Sequence, residues 1–216
     1  METMAILILF AVAFIAIALF RFSFFSSEAK GERGEHRIAM SLERLDPAVY
    51  HVMNDVLIPD GIRPEGTTQI DHIVLSVYGI FVIETKNYSG WIFGDADSSK
   101  WCQTIYGKRS YFQNPYRQNY KHICCLSALT RLPRKYFVQV VAFTGHCTVK
   151  TLEKLPKSFV TTEGELCDFI LSHKTEILNK DIVAHIENAI RGHLIEKTEV
   201  SLDSHVSYVR QRKNRG

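Results

Sequence analysis

Residues 69–87 read QIDHIVLSVYGIFVIETKN, and the architecture of the chain follows from how this stretch pairs with itself. Two runs rich in β-branched and aromatic residues, Gln69–Val77 and Ile80–Lys86, flank Tyr78-Gly79, a pattern that predicts an antiparallel hairpin with a two-residue loop. Val77 is then expected opposite Ile80, Asp71 opposite Lys86 and Ile73 opposite Glu84. Side chains alternate along a strand, so Asp71, Glu84 and Lys86 emerge on one face, the carboxylates being diagonal neighbours about 7–8 Å apart at the backbone. A one-residue bulge would break that parity. His72 falls on the other face and reads as a core or supporting histidine.

Two carboxylates brought together repel unless a cation lies between them. Two carboxylates, waters and a phosphate oxygen make an oxygen-only site of the kind Mg²⁺ takes. A lysine beside that ion can hold or activate an attacking water while the metal stabilises charge on phosphorus. A Glu-x-Lys pair on an exposed strand edge is also a common plain salt bridge, and both readings stand at this level.

Working outward, Ile38, Leu42 and Leu45 recur at helical spacing and Asp46-Pro47 closes the segment, which predicts a helix over 31–44. Tyr50–Ile58 reads as a strand, and Trp91–Phe93 and Trp101–Tyr106 as further short ones around an acidic loop. Asn114-Pro115 opens a helix to about Leu132, because proline suits the first helical turn. Phe137–Thr144 is a buried strand, Ser158–Thr161 a short one, and Glu163–Leu178 and Asp181–Leu194 two helices before the basic tail Arg210–Arg215. The order defines an α/β domain.

Composition bounds the rest. The chain has 216 residues, 46% hydrophobic and 23% charged, a net charge of +3 and 5 cysteines. That excludes a disordered chain and leaves ample length for a core. The apolar letters are unevenly spread: Met4–Phe20 carries no charged or polar side chain, and nothing later resembles it. With Phe22, Phe24 and Phe25 beyond Arg21, the run suits a single membrane-spanning helix over 1–25. A cleaved signal peptide is the rival; the long apolar run and the missing basic start oppose it, and Ser26, Ser27 and Ala29 permit it. Arg21, Lys30, Arg33 and Arg37 follow the run, so the soluble domain is expected on the cytosolic side. No cysteine spacing matches a zinc site, so reduced structural thiols are expected.

Gly34-Glu35, QIDHIV at 69–74, GIFVIETKN at 79–87 and NPYRQ at 114–118 occur in that order, and together they resemble the NERD (nuclease-related) domain. That family belongs to the PD-(D/E)xK nuclease superfamily, and the resemblance covers about residues 28–145. It leaves 146–216 as a C-terminal helical extension with a basic tail. It implies a restriction-endonuclease-like core, a mixed β-sheet flanked by helices, and it implies roles. Asp71 and Glu84 would be metal ligands with the Thr85 carbonyl as a third, the ion being Mg²⁺ or Mn²⁺. Lys86 would position the water, Glu35 would serve as the helical auxiliary acid, and Gln118 would shape the site. The rival reading makes Glu35 and Gln118 solvated helix residues. Ile70-Asp71 stands where the superfamily pattern has Pro-Asp.

Cations for an anionic polymer are concentrated near the last of these motifs. Arg117 and Lys121 lie on the predicted helix, and Lys108 and Arg109 precede it, interleaved with Trp101, Tyr106, Tyr111 and Tyr116. Basic and aromatic residues together suit nucleic acid, and a normally charged surface is the rival reading. DNA rather than RNA rests on the resemblance alone. The expected function is a membrane-anchored, metal-dependent nuclease acting on phosphodiester bonds of DNA. The alternative is a catalytically silent, membrane-tethered module that binds nucleic acid or acts as a scaffold.

Overall fold

The predicted hairpin forms, displaced by one pairing step. In the computed structural model, which describes residues 29–155 and 160–213, α1 (residues 29–42) precedes an antiparallel meander of β1 (His51–Pro59), β2 (Thr67–Ser76) and β3 (Gly79–Asn87). The loop is Val77-Tyr78, not Tyr78-Gly79. Gly79 starts β3 with φ +141°, and the Ser76 hydroxyl both accepts from the Tyr78 N–H and donates to the Gly79 carbonyl. Pairs therefore run Ser76 to Gly79 and His72 to Ile83, and Ile73 faces Val82 rather than Glu84. The shift is two residues in the sum of partners, so the shared face of Asp71, Glu84 and Lys86 is preserved.

A second small sheet follows. It contains β4 (Gly90–Phe93), β5 (Lys100–Ile105) and β6 (Lys108–Gln113), and α2 (Pro115–Thr130) leads from it to β7 (Phe137–Thr144). Next come β8 (Cys147–Val149), β9 (Val160–Thr162), α3 (Leu166–Leu171), α4 (Lys180–Gly192) and α5 (Glu199–Lys213). The main sheet has order β1-β2-β3-β7-β9, antiparallel through β3 and parallel beyond it; the smaller sheet has order β6-β5-β4-β8. The chain is thus an α/β fold with two mixed sheets flanked by helices, where one mixed sheet was expected. The predicted span at Met4–Phe20 lies outside the described residues; among the described residues no helix is long and apolar enough to cross a membrane.

Burial on both faces explains why β3 reads as a continuous apolar run. On one face α2 and α4 bring Ile123, Leu126, Ile186 and Ile190 against Ile70, Ile73 and Val82; on the other α1 and α3 bring Ile38, Leu42, Leu166 and Ile170 against Val74, Phe81 and Ile83. Residues beyond 145 therefore complete the same core: α4 covers the sheet and β9 extends it. All five cysteines are free thiols.

Two predicted elements are corrected. The helix expected over Glu163–Leu178 is only α3, because Ser172 Oγ donates to the Phe169 carbonyl and the chain then leaves to dock on the hairpin. There the Ile177 and Leu178 N–H groups both donate to the Val77 carbonyl. The basic segment from Arg210 begins inside α5 rather than in a free tail.

α5 is tied to the β1–β2 loop through the Tyr208 hydroxyl, which donates to Asp60 Oδ2. Burial pushes the Asp60 carboxyl up, but the hydrogen bonds from Tyr208 and the Ile62 N–H, with Lys121 nearby, outweigh it and hold the group below its ordinary value. Its contribution to stability is therefore present above the unfolded value of 3.8 and lost as pH falls through the lowered one. Tyr208→Phe is expected to cost about 1 kcal/mol at neutral pH, measured by urea unfolding, with the deficit closing in acid.

Candidate active site

The site lies where β2 and β3 stop pairing. Beyond His72 and Ile83 the ladder gives way to a side chain: the Thr85 N–H donates to Asp71 Oδ2 at 2.7 Å. Asp71 is thereby fixed against β3 beside Glu84, which is 1% exposed. Lys86, two residues on and on the same face, donates through Nζ to Glu84 Oε1 at 2.5 Å and to Gln118 Oε1 at 3.4 Å. Of the predicted set, Asp71, Glu84, Thr85, Lys86 and Gln118 are brought together.

Glu35 arrives from α1. Its helix can approach because Gly34 faces the ends of β3 and β7: a Cβ there would lie 2.7 Å from Asn87 Cβ and 2.8 Å from Thr144 Oγ1. The Asn87 side-chain amide also donates to the Lys30 carbonyl at 2.7 Å. Glu35 is half-buried, and burial, with the charges of Asp55 and Glu84, raises its carboxyl above the ordinary range.

The two central carboxyls are driven apart. Burial, reinforced by Glu84 and Glu35, raises Asp71 well above its ordinary value, against the opposing pull of Lys86 and the Thr85 N–H. Burial also pushes Glu84 up, but Lys86 and His122 outweigh it and leave Glu84 lowered. Glu84 is the ionised partner of the pair, and Asp71 is the one that lacks sufficient counter-charge. Lys86 is pulled down by burial, yet Glu84 and Asp71 hold its ammonium above the ordinary value. A lysine so held is a donor and a positive charge, not a base.

Several contributors were not foreseen. His122 Nε2 lies 3.2 Å from Glu84 Oε2 and its Nδ1 lies 2.8 Å from Thr68 Oγ1, so the ring orients the buried carboxylate. The available signal was its spacing, four residues after Gln118 on one helix face. Asn119, fully buried, donates to the Val82 and Val140 carbonyls and pins α2 across β3 and β7. Asn114 caps the same helix, accepting from the Tyr116 and Arg117 N–H groups. Asp55 sits opposite Asp71 in the order of β1 and β2, with φ +55° and no ladder pair there. It accepts from Gln69 Nε2 at 2.7 Å and from Lys197 Nζ. Only the β1 register could have found it. His72 is buried with its Nδ1 2.8 Å from Asn54 Oδ1, as a supporting residue should be.

The predicted nucleic-acid cations are dispersed. Arg117 is exposed on α2, and Lys108 and Arg109 are exposed on β6 in the smaller sheet. Lys121 is turned to Asp60, at 3.7 Å, and to the Tyr208 ring.

A divalent ion suits this donor set. Asp71, Glu84 and the Thr85 carbonyl would offer hard oxygen donors, and the charge conflict between Asp71, Glu84 and Glu35 is the kind a cation relieves. Among the described residues, no three His, Cys, Asp or Glu side chains are gathered as ligands, so protein carboxylates alone would not fill the coordination shell.

A mixed sheet carrying two carboxylates and a lysine at the frayed end of its central hairpin, closed by a helical acid and a helical glutamine, defines a nuclease-related α/β class. The chain matches the family described as "Nuclease-related domain" over residues 30–144. It is also 38% identical, over 172 residues, to a Bacillus anthracis protein described as uncharacterised, covering 78% of this chain and 79% of that one. No solved structure matches. The chain belongs to the NERD, or nuclease-related domain, family.

Proposed function

We propose that the protein is a membrane-anchored, Mg²⁺- or Mn²⁺-dependent nuclease that hydrolyses phosphodiester bonds of DNA, with its α/β domain in the cytosol. The observation that carries the reading is the convergence of Asp71, Glu84 and Lys86 on one face with a charge conflict at Asp71. A cation held by Asp71, Glu84 and the Thr85 carbonyl would supply Lewis-acid stabilisation of charge on the scissile phosphate. Lys86 donates through Nζ to the attacking water or to a non-bridging oxygen, and Gln118 fixes the lysine's direction. His122 keeps Glu84 in place, and Glu35 accepts from water on the open side. The apolar run Met4–Phe20 supports the anchor, and the basic residues after it support the orientation.

The test is cleavage by the full chain in detergent, with plasmid, linear duplex and single-stranded DNA, in Mg²⁺, Mn²⁺ or EDTA. Metal-dependent cleavage is expected in the native protein and not in Glu84→Ala. Equal cleavage by both would sink the assigned site. One observation favours a second reading, a silent module that binds nucleic acid or serves as a scaffold: both Glu84 oxygens are already engaged, by Lys86 and His122. That reading predicts salt-sensitive DNA binding without cleavage in either metal.

A further inference from the structure

The smaller sheet has an outer face that the candidate active site does not use. Burial alternates along β4 and most of β5, where Ile92, Trp101 and Gln103 point inward and Trp91 and Phe93 point out; on the almost wholly exposed β6, pairing with Cys102 puts Tyr111 on the outward face. Pairing brings the outward set together, since Phe93 opposes Cys102, which opposes Tyr111, and Trp91 opposes Thr104, which opposes Arg109. Strands lie about 4.8 Å apart and alternate residues about 6.8 Å apart, so the three rings form one patch a few side chains wide. They are 54%, 37% and 66% exposed, a large aromatic area to leave in water.

Cations are set beside these rings. Arg109 is the second neighbour of Tyr111 along β6, Lys100 begins β5 on the same face, and Lys150 Nζ lies 5.0 Å from the Trp91 ring centre. The Lys150 N–H donates to the Ile92 carbonyl, which holds that residue beside β4. None of the four strands contains an aspartate or glutamate. Asp95 and Asp97 occupy the β4–β5 loop, where the Asp95 carboxylate accepts from its own loop's N–H groups. At the sheet's tip Tyr106 is wholly exposed at φ +48°, a costly conformation for a bulky residue.

Exposed rings separated by polar Cys102 and Thr104, with positive charge along the edges of the patch, suit a ligand having flat apolar faces and regularly spaced negative charge. A protein partner would match the rings, and a duplex would match the charges. Only unpaired nucleotides present both at once. A lipid surface is less well matched, because the middle strand sets polar Cys102 and Thr104 between the rings.

We propose that this face binds an unpaired segment of single-stranded nucleic acid, stacking bases on Trp91, Phe93 and Tyr111 and contacting phosphates through Lys100, Arg109 and Lys150. The proposal rests on the reading of the chain as a nucleic-acid protein, but it does not require hydrolysis at Asp71. Fluorescein-labelled oligo(dT) is titrated with the full chain in detergent and EDTA, beside a blunt duplex of equal length. Anisotropy should show tighter binding of oligo(dT), with quenching of tryptophan emission. Trp101 is buried and is the only other tryptophan, so Trp91→Phe should remove the quenching while retaining most of the affinity.

Trp91→Ala combined with Tyr111→Ala should weaken oligo(dT) binding at least about 10-fold, with an unchanged melting temperature. Arg109→Ala should lower the salt dependence of log K by about 0.7. Because binding is read in EDTA, the test separates this face from the catalytic reading: native protein that binds oligo(dT) in EDTA yet cleaves no DNA in Mg²⁺ or Mn²⁺ would sink only the latter. No preference for oligo(dT), or equal affinity in the double variant, overturns the proposal. So does loss of binding to phosphatidylserine vesicles in the double variant with oligo(dT) affinity unchanged, which would make the face lipid-directed.

Discussion

Asp71→Asn is expected to abolish cleavage while raising the melting temperature of the metal-free protein. Asparagine keeps an oxygen for the Thr85 N–H, so the local geometry survives. Loss of a charged ligand removes several kcal/mol of transition-state stabilisation, about 10³-fold or more in rate. The stability change runs the other way. Asp71 is raised well above its ordinary value by burial and by Glu84 and Glu35, so the folded chain holds that proton more tightly than the unfolded one. Its contribution falls as pH rises from the unfolded value through the folded one, so the folded state bears the cost of an ionisable carboxyl held at this position. Removing the carboxyl removes that burden.

Glu84→Gln should be opposite in stability and equal in activity. Glu84 is ionised against Lys86 and His122, with only 2% of its side chain exposed, and neutralising it leaves a buried ammonium without its partner, a loss of about 3 kcal/mol. Mg²⁺ should raise the melting temperature of the native protein and of neither variant. Thermal melts in EDTA and in Mg²⁺ measure all of this. A shift of the same sign in both EDTA melts would refute the division of charge between the two carboxyls.

Gly34→Val should impair activity through the placement of Glu35. Its Cβ would meet Asn87 Cβ and Thr144 Oγ1, which belong to strand ends and cannot yield as a flexible side-chain tip would. Overpacking of this kind costs about 1–3 kcal/mol, and relief requires α1 to move away from the sheet with Glu35 on it. Gly31→Ala on the same helix is the control, because a Cβ there meets nothing within 4 Å and should stabilise by about 0.5–1 kcal/mol. Cleavage in Gly34→Val should fall further than its loss of stability accounts for, read as single-turnover rate at a temperature where the variant is fully folded. Native activity in that variant would remove Glu35 from the site.

These outcomes depend on features of unequal legibility. The shared face of Asp71, Glu84 and Lys86 could be read in advance although the loop was misplaced, because the misplacement was even-numbered and side-chain alternation has a period of two. The helix opening at Asn114-Pro115 was legible for a local reason, since cap and proline act within one turn. β6 was not, because its residues are nearly all exposed and carry no apolar alternation; it is held by pairing with β5 through Tyr106-Gly107. The over-long helix from Glu163 failed for the converse reason. Its apolar spacing continues, but Ile177 and Leu178 gain hydrogen bonds to Val77 only by leaving the helix.

The sequence by itself determined which strands carry the candidate site, which face they show, and that an apolar segment precedes an α/β domain, because all of these are set by patterns within a few residues. Tertiary structure alone decided that His122 reaches Glu84, that Asp55 lies across from Asp71, that Lys121 turns to Asp60, and that three separated aromatics share one face. Each of those joins elements distant in the chain, and the burial that sets the charge on Asp71 exists only once helices cover both faces of the sheet.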